Sequence, residues 1–227
     1  TSADHLLCVS EVLRDRAIRL GVNPGMASTA YLGVDLDTFH PLTSDQINRT
    51  RALLGLQRGP MVLSVRAMAG LYRPLDIVEA MSGVLEKVPD AFLVVFTYGR
   101  DERVLERFSR RVRSLGIEHA VRYVDELESD VDIARYVAVA DAVVSVASSD
   151  GMPNSLVEAM GCGRAVLAGD TPAVREVVEH GRNGLIVEVG DIGALSNAIA
   201  TVLRDGELRN RLGRAALATA RNRFDRR

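Results

Sequence analysis

The sequence has few aromatic residues and almost no cysteine. Aromatic residues make up 4% of the 227 residues, tryptophan is absent, and only two cysteines occur, Cys8 and Cys162. Cys8 lies in an apolar run and Cys162 at the end of a helical pattern, so both are predicted to be buried thiols rather than a disulfide or metal ligands. Since Leu, Val and Ala dominate the hydrophobic residues, the core suits helices packed on a parallel sheet that is buried on both faces.

A strong charge of one sign and a long apolar run are also lacking. The formal net charge of −2 offers no basic surface for nucleic acid, so no nucleic-acid partner is predicted. No apolar stretch approaches the roughly 20 residues that span a bilayer, and no signal-peptide pattern opens the chain. Together with the scarcity of cysteine, these features favour a cytoplasmic protein. The four histidines show no spacing typical of metal ligands, and no metal site is predicted.

Six apolar runs alternate with helical patterns along the chain. Alternation of this kind indicates right-handed crossovers and therefore an α/β fold with a doubly wound, Rossmann-like parallel sheet. Near the N-terminus, His5–Ser10 and Glu11–Leu20 are predicted to be a strand and a helix outside this unit. Thr171 is a predicted helix cap, and the helix that follows it is predicted to end at Gly181. The six predicted strands are Met61–Val65, Ala91–Thr97, Ala120–Val124, Ala142–Ala147, Ala165–Ala168 and Leu185–Val187.

The most informative segment is Ser149–Cys162, which reads S-D-G-M-P-N-S-L-V-E-A-M-G-C. It follows a predicted buried strand and opens into a helix, with Pro153 predicted at the first helical position. The first N–H groups of such a helix have no intrahelical partner and lie at the positive end of its dipole, which makes them a site for an anion. Gly151 would let a ligand approach the backbone closely.

Two carboxylates flank this anion site, Asp150 before the turn and Glu158 within the helix. If the segment were helical throughout, they would lie about 12 Å apart. Carboxylates accept hydrogen bonds from hydroxyl groups, so the pattern suits a phosphate with hydroxyl-rich groups on either side, as in a nucleotide-sugar. The simpler alternative is an ordinary α/β turn in which Glu158 interacts favourably with the positive helix end.

This segment resembles the donor-binding motif of the retaining glycosyltransferases of family 4, often written E-G-F-P-N-x-x-x-E-A-M-A-C-G. Asp150 takes the place of the first Glu, and Glu158 that of the second. The resemblance covers nearly the whole chain, because other family-like segments occur in the same order. They are A-D-H-L-L-C-V-S-E at Ala3–Glu11, L-G-V-D at Leu32–Asp35, S-V-R at Ser64–Arg66, H-G-R-N-G-L-I-V at His180–Val187 and G-D at Gly190–Asp191.

The resemblance implies the C-terminal half of a GT-B fold. Residues 1–37 would be the end of an N-terminal, acceptor-binding domain with the linker, and residues 38–227 the domain that binds the nucleotide-sugar. The implied reaction transfers a sugar from a UDP- or GDP-sugar to an acceptor with retention, without a metal or another cofactor. The acceptor, a sugar or glycolipid, would bind through the rest of the N-terminal domain. This portion would therefore bind the donor without turnover, and the full-length protein could associate peripherally with a membrane, in polysaccharide or glycolipid assembly.

Arg66 follows a predicted buried strand, where α/β sheets place their ligands. An arginine there could contact two phosphate oxygens, or it could be a structural residue paired with a nearby acid. In the resembled family a Lys-Gly dipeptide follows this arginine, but here the chain reads A-M-A-G-L-Y-R-P. Arg73 could supply the charge of the absent lysine, and Tyr72 could face the donor.

The resemblance assigns a role to each part of the site. Arg66 and the helix start would stabilise the departing diphosphate, Asp150 would hold the transferred sugar, and Glu158 the ribose. Asp150 and Arg66 are the predicted catalytic residues. Two alternatives share the architecture: a nucleotide-sugar 2-epimerase and a nucleotide-binding module without catalysis. The predicted donor-binding residues are Arg66, Arg73, Tyr123, Val124 and Asp125 (the last three near the base), with Asp150, Gly151, Met152, Pro153, Asn154, Ser155, Leu156 and Glu158.

Overall fold

The computed structural model describes residues 3–125, 127 and 129–226. Two short strands form a small parallel sheet, and six others form a larger one. The strands are β1 (Leu6–Cys8), β2 (Ala27–Thr29), β3 (Met61–Ser64), β4 (Phe92–Phe96), β5 (Val121–Val124), β6 (Ala142–Ser145), β7 (Ala165–Gly169) and β8 (Leu185–Val187). The α-helices are α1 (Glu11–Arg19), α2 (Ser44–Leu53), α3 (Pro74–Leu85), α4 (Glu102–Leu115), α5 (Asp130–Val139), α6 (Asn154–Gly161), α7 (Pro172–Arg175), α8 (Ile192–Arg204) and α9 (Gly206–Arg223).

The larger sheet has the strand order β5-β4-β3-β6-β7-β8, and all its neighbouring strands are parallel. Counted from β3, this is the doubly wound order in which the chain first moves to one side of the sheet and then to the other. The predicted α/β fold is therefore confirmed. The order reverses between β3 and β6, and ligands of such sheets bind outside the carboxyl ends of the strands at this point.

The core lies on both faces of the larger sheet, because alternate residues of each strand point to opposite sides. Leu63 of β3 packs with Val137 of α5 and Leu156 of α6 on one face. Val62 packs with helices α3, α4 and α8 on the other face, through residues that include Phe108. All four residues of β3 are buried, as a parallel strand covered on both sides requires.

The helix starts agree with the sequence in part. Thr171 caps α7 as predicted, with its hydroxyl accepting from the Val174 amide. That helix ends at Arg175 and does not reach Gly181. The placement of Pro153 at the first helical position is also wrong by one residue. Pro153 has a non-helical ψ of 66°, and its carbonyl accepts the first helical hydrogen bonds, from Leu156 and Val157, which makes it the residue before α6.

The N-terminal segment is attached to the rest of the chain through Glu176, the residue after α7. Its carboxylate accepts hydrogen bonds from the amides of Glu11 (3.0 Å) and Val12 (2.7 Å), the first two residues of α1. These amides have no partner within their own helix, so Glu176 acts as a cap supplied from elsewhere in the chain. The Tyr31 hydroxyl donates to the same carboxylate at 3.0 Å. The predicted domain boundary after residue 37 stays a prediction.

Candidate functional site

A cleft of about 450 Å³ opens at the carboxyl ends of β3 and β6, where the strand order reverses. One wall is the connection after β6, and a second is the start of α7. The helix α1 closes the third side, and the connection between β3 and α3 the fourth. The lining residues are Ser148, Ser149, Asp150 and Gly151; Asp170, Thr171, Pro172 and Ala173; Val12, Leu13 and Arg16; and Arg66, Leu71 and Tyr72.

Arg66 is held on several sides within this cleft. Its Nη1 lies 3.2 Å from Oδ2 of Asp150 and donates to Oγ of Ser155 at 3.2 Å. The side chains of Arg66 and Asp150 are only 16% and 10% exposed, so solvent screens the pair weakly. The ring of Tyr72 lies against the guanidinium, with 4.2 Å between Cζ and the ring centroid. Arg66 is thus paired with an acid, as expected of a structural arginine. It also lies in the cleft where a phosphate ligand is expected to bind.

The start of α6 supplies backbone donors beside this pair. No side chain caps it, and Ser155 of its first turn contacts Arg66. The buried Oδ1 of Asn154 has no hydrogen-bond partner among the described residues. Met152 and Leu156 are buried in the core, so a ligand in the cleft could reach only their main chain. The amides of Asn154 and Leu156 already donate to the carbonyls of Met152 and Pro153, so the start of α6 can offer an anion the Ser155 amide and the positive end of the helix dipole.

Gly151 brings the two sides of the cleft together. A Cβ built at Gly151 would lie 3.0 Å from Cδ1 of Leu13 on α1, which is too close for an unstrained contact. A larger residue at this position would require the end of the Leu13 side chain to shift. Gly151 thus packs closely against the Leu13 side chain of α1.

Glu158 lies one helical turn beyond Asn154, on the same face of α6. Burial raises the pKa of its carboxyl from 4.5 to about 7, the nearby Asp130 adds to this rise, and Arg226 and Arg66 oppose it. A large fraction of this side chain therefore carries a proton at neutral pH. Its position along α6 places it beyond the residues that line the cleft.

Arg73 does not line the cleft and is paired with a neighbour. Its backbone has a φ of 50°, in the left-handed region that favours glycine, and its Nε donates to Oδ2 of Asp76 at 2.6 Å. Tyr72, the preceding residue, lines the cleft instead. The structure therefore brings Tyr72, and not Arg73, next to Arg66.

The three residues predicted near a base lie at the far end of the sheet edge. Tyr123 and Val124 end β5, which is separated from β3 by β4. The Val124 carbonyl accepts from the amide (3.0 Å) and the hydroxyl (3.1 Å) of Thr97, and the same hydroxyl donates to Asp125. Tyr123 is 39% exposed. These residues share the carboxyl edge with Arg66 but lie outside the cleft, and Glu126, which follows them, lies outside the described residues.

Sequence reasoning missed the wall that α1 contributes. Val12, Leu13 and Arg16 face the cleft although more than 130 residues separate them from Asp150. Only a long-range contact could reveal them, and Glu176 makes it through the amides of α1. The start of α7 was likewise missed as a wall, though its Thr171 cap was recognisable.

Cys8 and Cys162 are both buried with free thiols, as predicted, and burial raises the pKa of Cys162 to about 12. Across residues 3–125, 127 and 129–226, no group of three or more His, Cys, Asp or Glu residues could hold a metal ion. In the same ranges no helix is both long and apolar enough to cross a membrane.

An arginine, an uncapped helix start and carboxylates at the switch point of a doubly wound sheet form a site suited to an anionic, hydroxyl-bearing ligand. A family model described as "Glycosyl transferases group 1" matches residues 47–219. That range contains β3 to β8, Arg66 and the whole of α6. The chain therefore belongs to the glycosyl transferases group 1 family.

Curated relatives match over almost the whole chain. The "D-inositol 3-phosphate glycosyltransferase" of Corynebacterium glutamicum (strain R) is 26% identical over 218 residues, which are 93% of this chain and 51% of the relative. The "D-inositol 3-phosphate glycosyltransferase 2" of Catenulispora acidiphila is 29% identical over 216 residues, 89% of this chain and 48% of the relative. The chain thus spans about half the length of the curated relatives it matches.

Solved structures with the same fold include two of particular use. The Anabaena protein Alr3699/HepE, crystallised with UDP and glucose, matches with a TM-score of 0.88 at 22% identity, over 98% of this chain and 60% of that protein. The C-terminal domain of LpcC from Francisella tularensis, a glycosyl transferase group 1 family protein, has a TM-score of 0.79 at 19% identity. It covers 86% of this chain and all of that domain. At these identities the match shows the fold alone.

Proposed function

We propose that this chain binds the diphosphate of a nucleotide-sugar in the cleft at the switch point, and that the full-length protein transfers the sugar to an acceptor with retention. The observation that carries the proposal is the position of Arg66. Its guanidinium stands at the carboxyl end of β3, beside the uncapped start of α6 and in contact with Ser155. A pyrophosphate bound there would meet both a fixed positive charge and the positive end of the α6 dipole, with the Ser155 amide as a backbone donor.

The chemical role of these groups is to stabilise negative charge as it develops on the departing nucleotide. An arginine and helix amides already in place cost little reorganisation when the sugar–phosphate bond breaks. This supports transfer without a metal ion, with UDP or GDP as the leaving group. Asp150 is paired with Arg66 in this structure, and a bound diphosphate would replace it as the partner of the guanidinium. The carboxylate would then be available to the hydroxyls of the transferred sugar.

Glu158 completes the proposal as the residue that holds the ribose. A half-buried carboxylate one turn along α6 can accept hydrogen bonds from two neighbouring hydroxyl groups. On binding, these hydrogen bonds to the ionised form favour deprotonation, because they stabilise the charge that burial disfavours. The base would lie toward Tyr123, Val124 and Asp125 along the sheet edge. The acceptor, a sugar or glycolipid, would approach from the side of α1, in the cytoplasm and with peripheral membrane association of the full-length protein.

Two departures from the family pattern favour the second candidate, a nucleotide-binding module without catalysis. The Lys-Gly dipeptide that follows this arginine in the resembled family is absent here, and Asp150 is one methylene shorter than glutamate. The missing lysine would weaken stabilisation of the leaving group, and the shorter Asp150 would weaken contact with the transferred sugar. Incubation of the full-length protein with nucleotide-sugars separates the two functions, since slow donor hydrolysis or sugar transfer supports the enzyme and binding without turnover supports the module. An epimerised product would instead indicate a 2-epimerase.

The binding part of the proposal is tested by calorimetry with UDP, GDP, UDP-glucose and GDP-mannose, with and without EDTA. We expect one nucleotide class to bind, EDTA to leave its affinity unchanged, and Arg66→Ala to weaken it at least about tenfold, the typical value of a charge-assisted contact. Arg182→Ala is the matched control, because Arg182 is paired with Glu179 on the exposed surface and does not line the cleft. Unchanged affinity in the Arg66 variant, or no binding by the unmutated chain, would contradict the proposal.

A further inference from the structure

We infer that Tyr72 is a positioning residue for Arg66, and that its aromatic ring holds the guanidinium in the orientation that receives the diphosphate. This inference rests on the proposed function. The ring centroid lies 4.2 Å from Cζ of Arg66, a cation–π distance. The guanidinium edge meanwhile contacts Asp150 and Ser155. Tyr72 therefore leaves donors of Arg66 available for oxygen ligands.

The backbone presents the ring in a fixed place. Leu71, the residue before Tyr72, accepts hydrogen bonds on its carbonyl from the amide (3.0 Å) and the hydroxyl (3.2 Å) of Ser148. These contacts tie the β3–α3 connection to the end of β6. On the other side, Arg73 adopts its left-handed conformation and is locked to Asp76. Tyr72 is thus held between two anchored neighbours.

An aromatic ring at position 72 affects Arg66 differently from a second positive charge there. A second cation beside Arg66 would repel it and would compete for Asp150 and for the incoming phosphate. An aromatic face attracts the guanidinium without adding charge, and is worth about 0.5–2 kcal/mol depending on solvent exposure. Because the guanidinium is already oriented before the ligand arrives, less side-chain entropy is lost on binding. Tyr72 would therefore raise affinity through Arg66.

The test is a double-mutant cycle on nucleotide affinity, measured by calorimetry with UDP or whichever nucleotide the unmutated chain binds. Tyr72→Phe keeps the ring, and Tyr72→Leu keeps apolar bulk without it. We expect Phe to bind within about twofold of the unmutated chain and Leu to bind about fivefold more weakly, in line with a cation–π contact. Combined with Arg66→Ala, the Leu substitution should cause no further loss, because the residue through which Tyr72 acts is gone.

The outcomes separate the two levels of the proposal. If the unmutated chain binds no nucleotide, the proposed function fails and this inference fails with it. If the unmutated chain binds nucleotide but Tyr72→Leu keeps full affinity, only the role of Tyr72 is wrong. The same conclusion follows if Tyr72→Leu weakens nucleotide affinity by the same factor in the Arg66→Ala variant as in the unmutated chain. Thermal unfolding of each variant checks that the fold is retained, and a purely structural role would lower stability without the selective rescue by Phe.

Discussion

Replacing Glu158 with glutamine is expected to stabilise the protein at neutral and alkaline pH. The folded state raises the pKa of this carboxyl from 4.5 to about 7, chiefly by burial. A shift of that size corresponds to a cost of at most on the order of 3 kcal/mol when the buried side chain ionises. Glutamine has nearly the same shape and cannot ionise, so the variant avoids this cost while filling the same space.

The sign of the pH dependence follows from proton binding. Between pH 4.5 and about 7 the folded state keeps the Glu158 proton while the unfolded state releases it. Stability from this group is therefore fully present below pH 4.5, falls as the pH rises through that window, and reaches its minimum above pH 7. The glutamine variant should match the unmutated chain near pH 4.5 and exceed it by on the order of 1–3 kcal/mol at pH 8.

Urea denaturation at several pH values between 4.5 and 8 measures this difference directly, since each unfolding free energy is obtained by extrapolation to zero urea. Glu106→Gln is the matched control, because Glu106 is an exposed residue in the middle of α4, where the same change should alter stability little. Equal unfolding free energies for Glu158→Gln and the unmutated chain at pH 8, with the same slope against pH, would refute the reasoning. Nucleotide affinity should fall in the variant, since a neutral amide accepts more weakly from ribose hydroxyls than a carboxylate.

Two other substitutions test the contacts around the cleft. Asp150→Asn should lower the affinity for UDP-glucose relative to that for UDP by about tenfold, because the sugar loses a charged acceptor while Arg66 is freed for the phosphates. Calorimetry with both ligands gives the ratio of the two affinities. An unchanged ratio would mean that Asp150 does not contact the sugar. Glu176→Gln should reduce stability by about 1–2 kcal/mol through weaker capping of α1. Burial and the Glu176 carboxylate together raise the pKa of Tyr31, so in the same variant a spectroscopic titration should show that pKa lower than in the unmutated chain. A Tyr31 titration that does not move would show that the Glu176 contact is absent in solution.

The sheet could be predicted closely because its strands carry their own signal. Runs of buried apolar residues such as Ala142–Ala147 have no exposed face, and only a strand covered on both sides accommodates them. The observed β6 is shorter by two residues, within the usual uncertainty of element ends. The positions of Arg66 and Asp150 follow from the same pattern, since the ends of parallel strands share an edge.

The rest of the site depended on contacts that no local pattern encodes. The sequence indicates two candidates for the second contact, Tyr72 and Arg73, and only the folded structure shows that Tyr72 is the one that lines the cleft. The end of α7 at Arg175 has no stop signal of its own. Because α1 is distant in sequence, its side of the cleft becomes visible only when the chain is folded. Local chemistry thus located the site, and tertiary packing determined its walls.

The attachment of α1 to Glu176 has a practical consequence for anyone who trims this protein. A variant that starts at residue 38 would keep the larger sheet. It would lose Leu36, which packs against the core, and the helix that supplies Val12, Leu13 and Arg16 to the cleft. The carboxylate of Glu176 would then face solvent with none of its three present donors. Ligand affinities measured on such a shortened protein would describe a cleft open on one side, whereas α1 closes that side in the 227-residue chain.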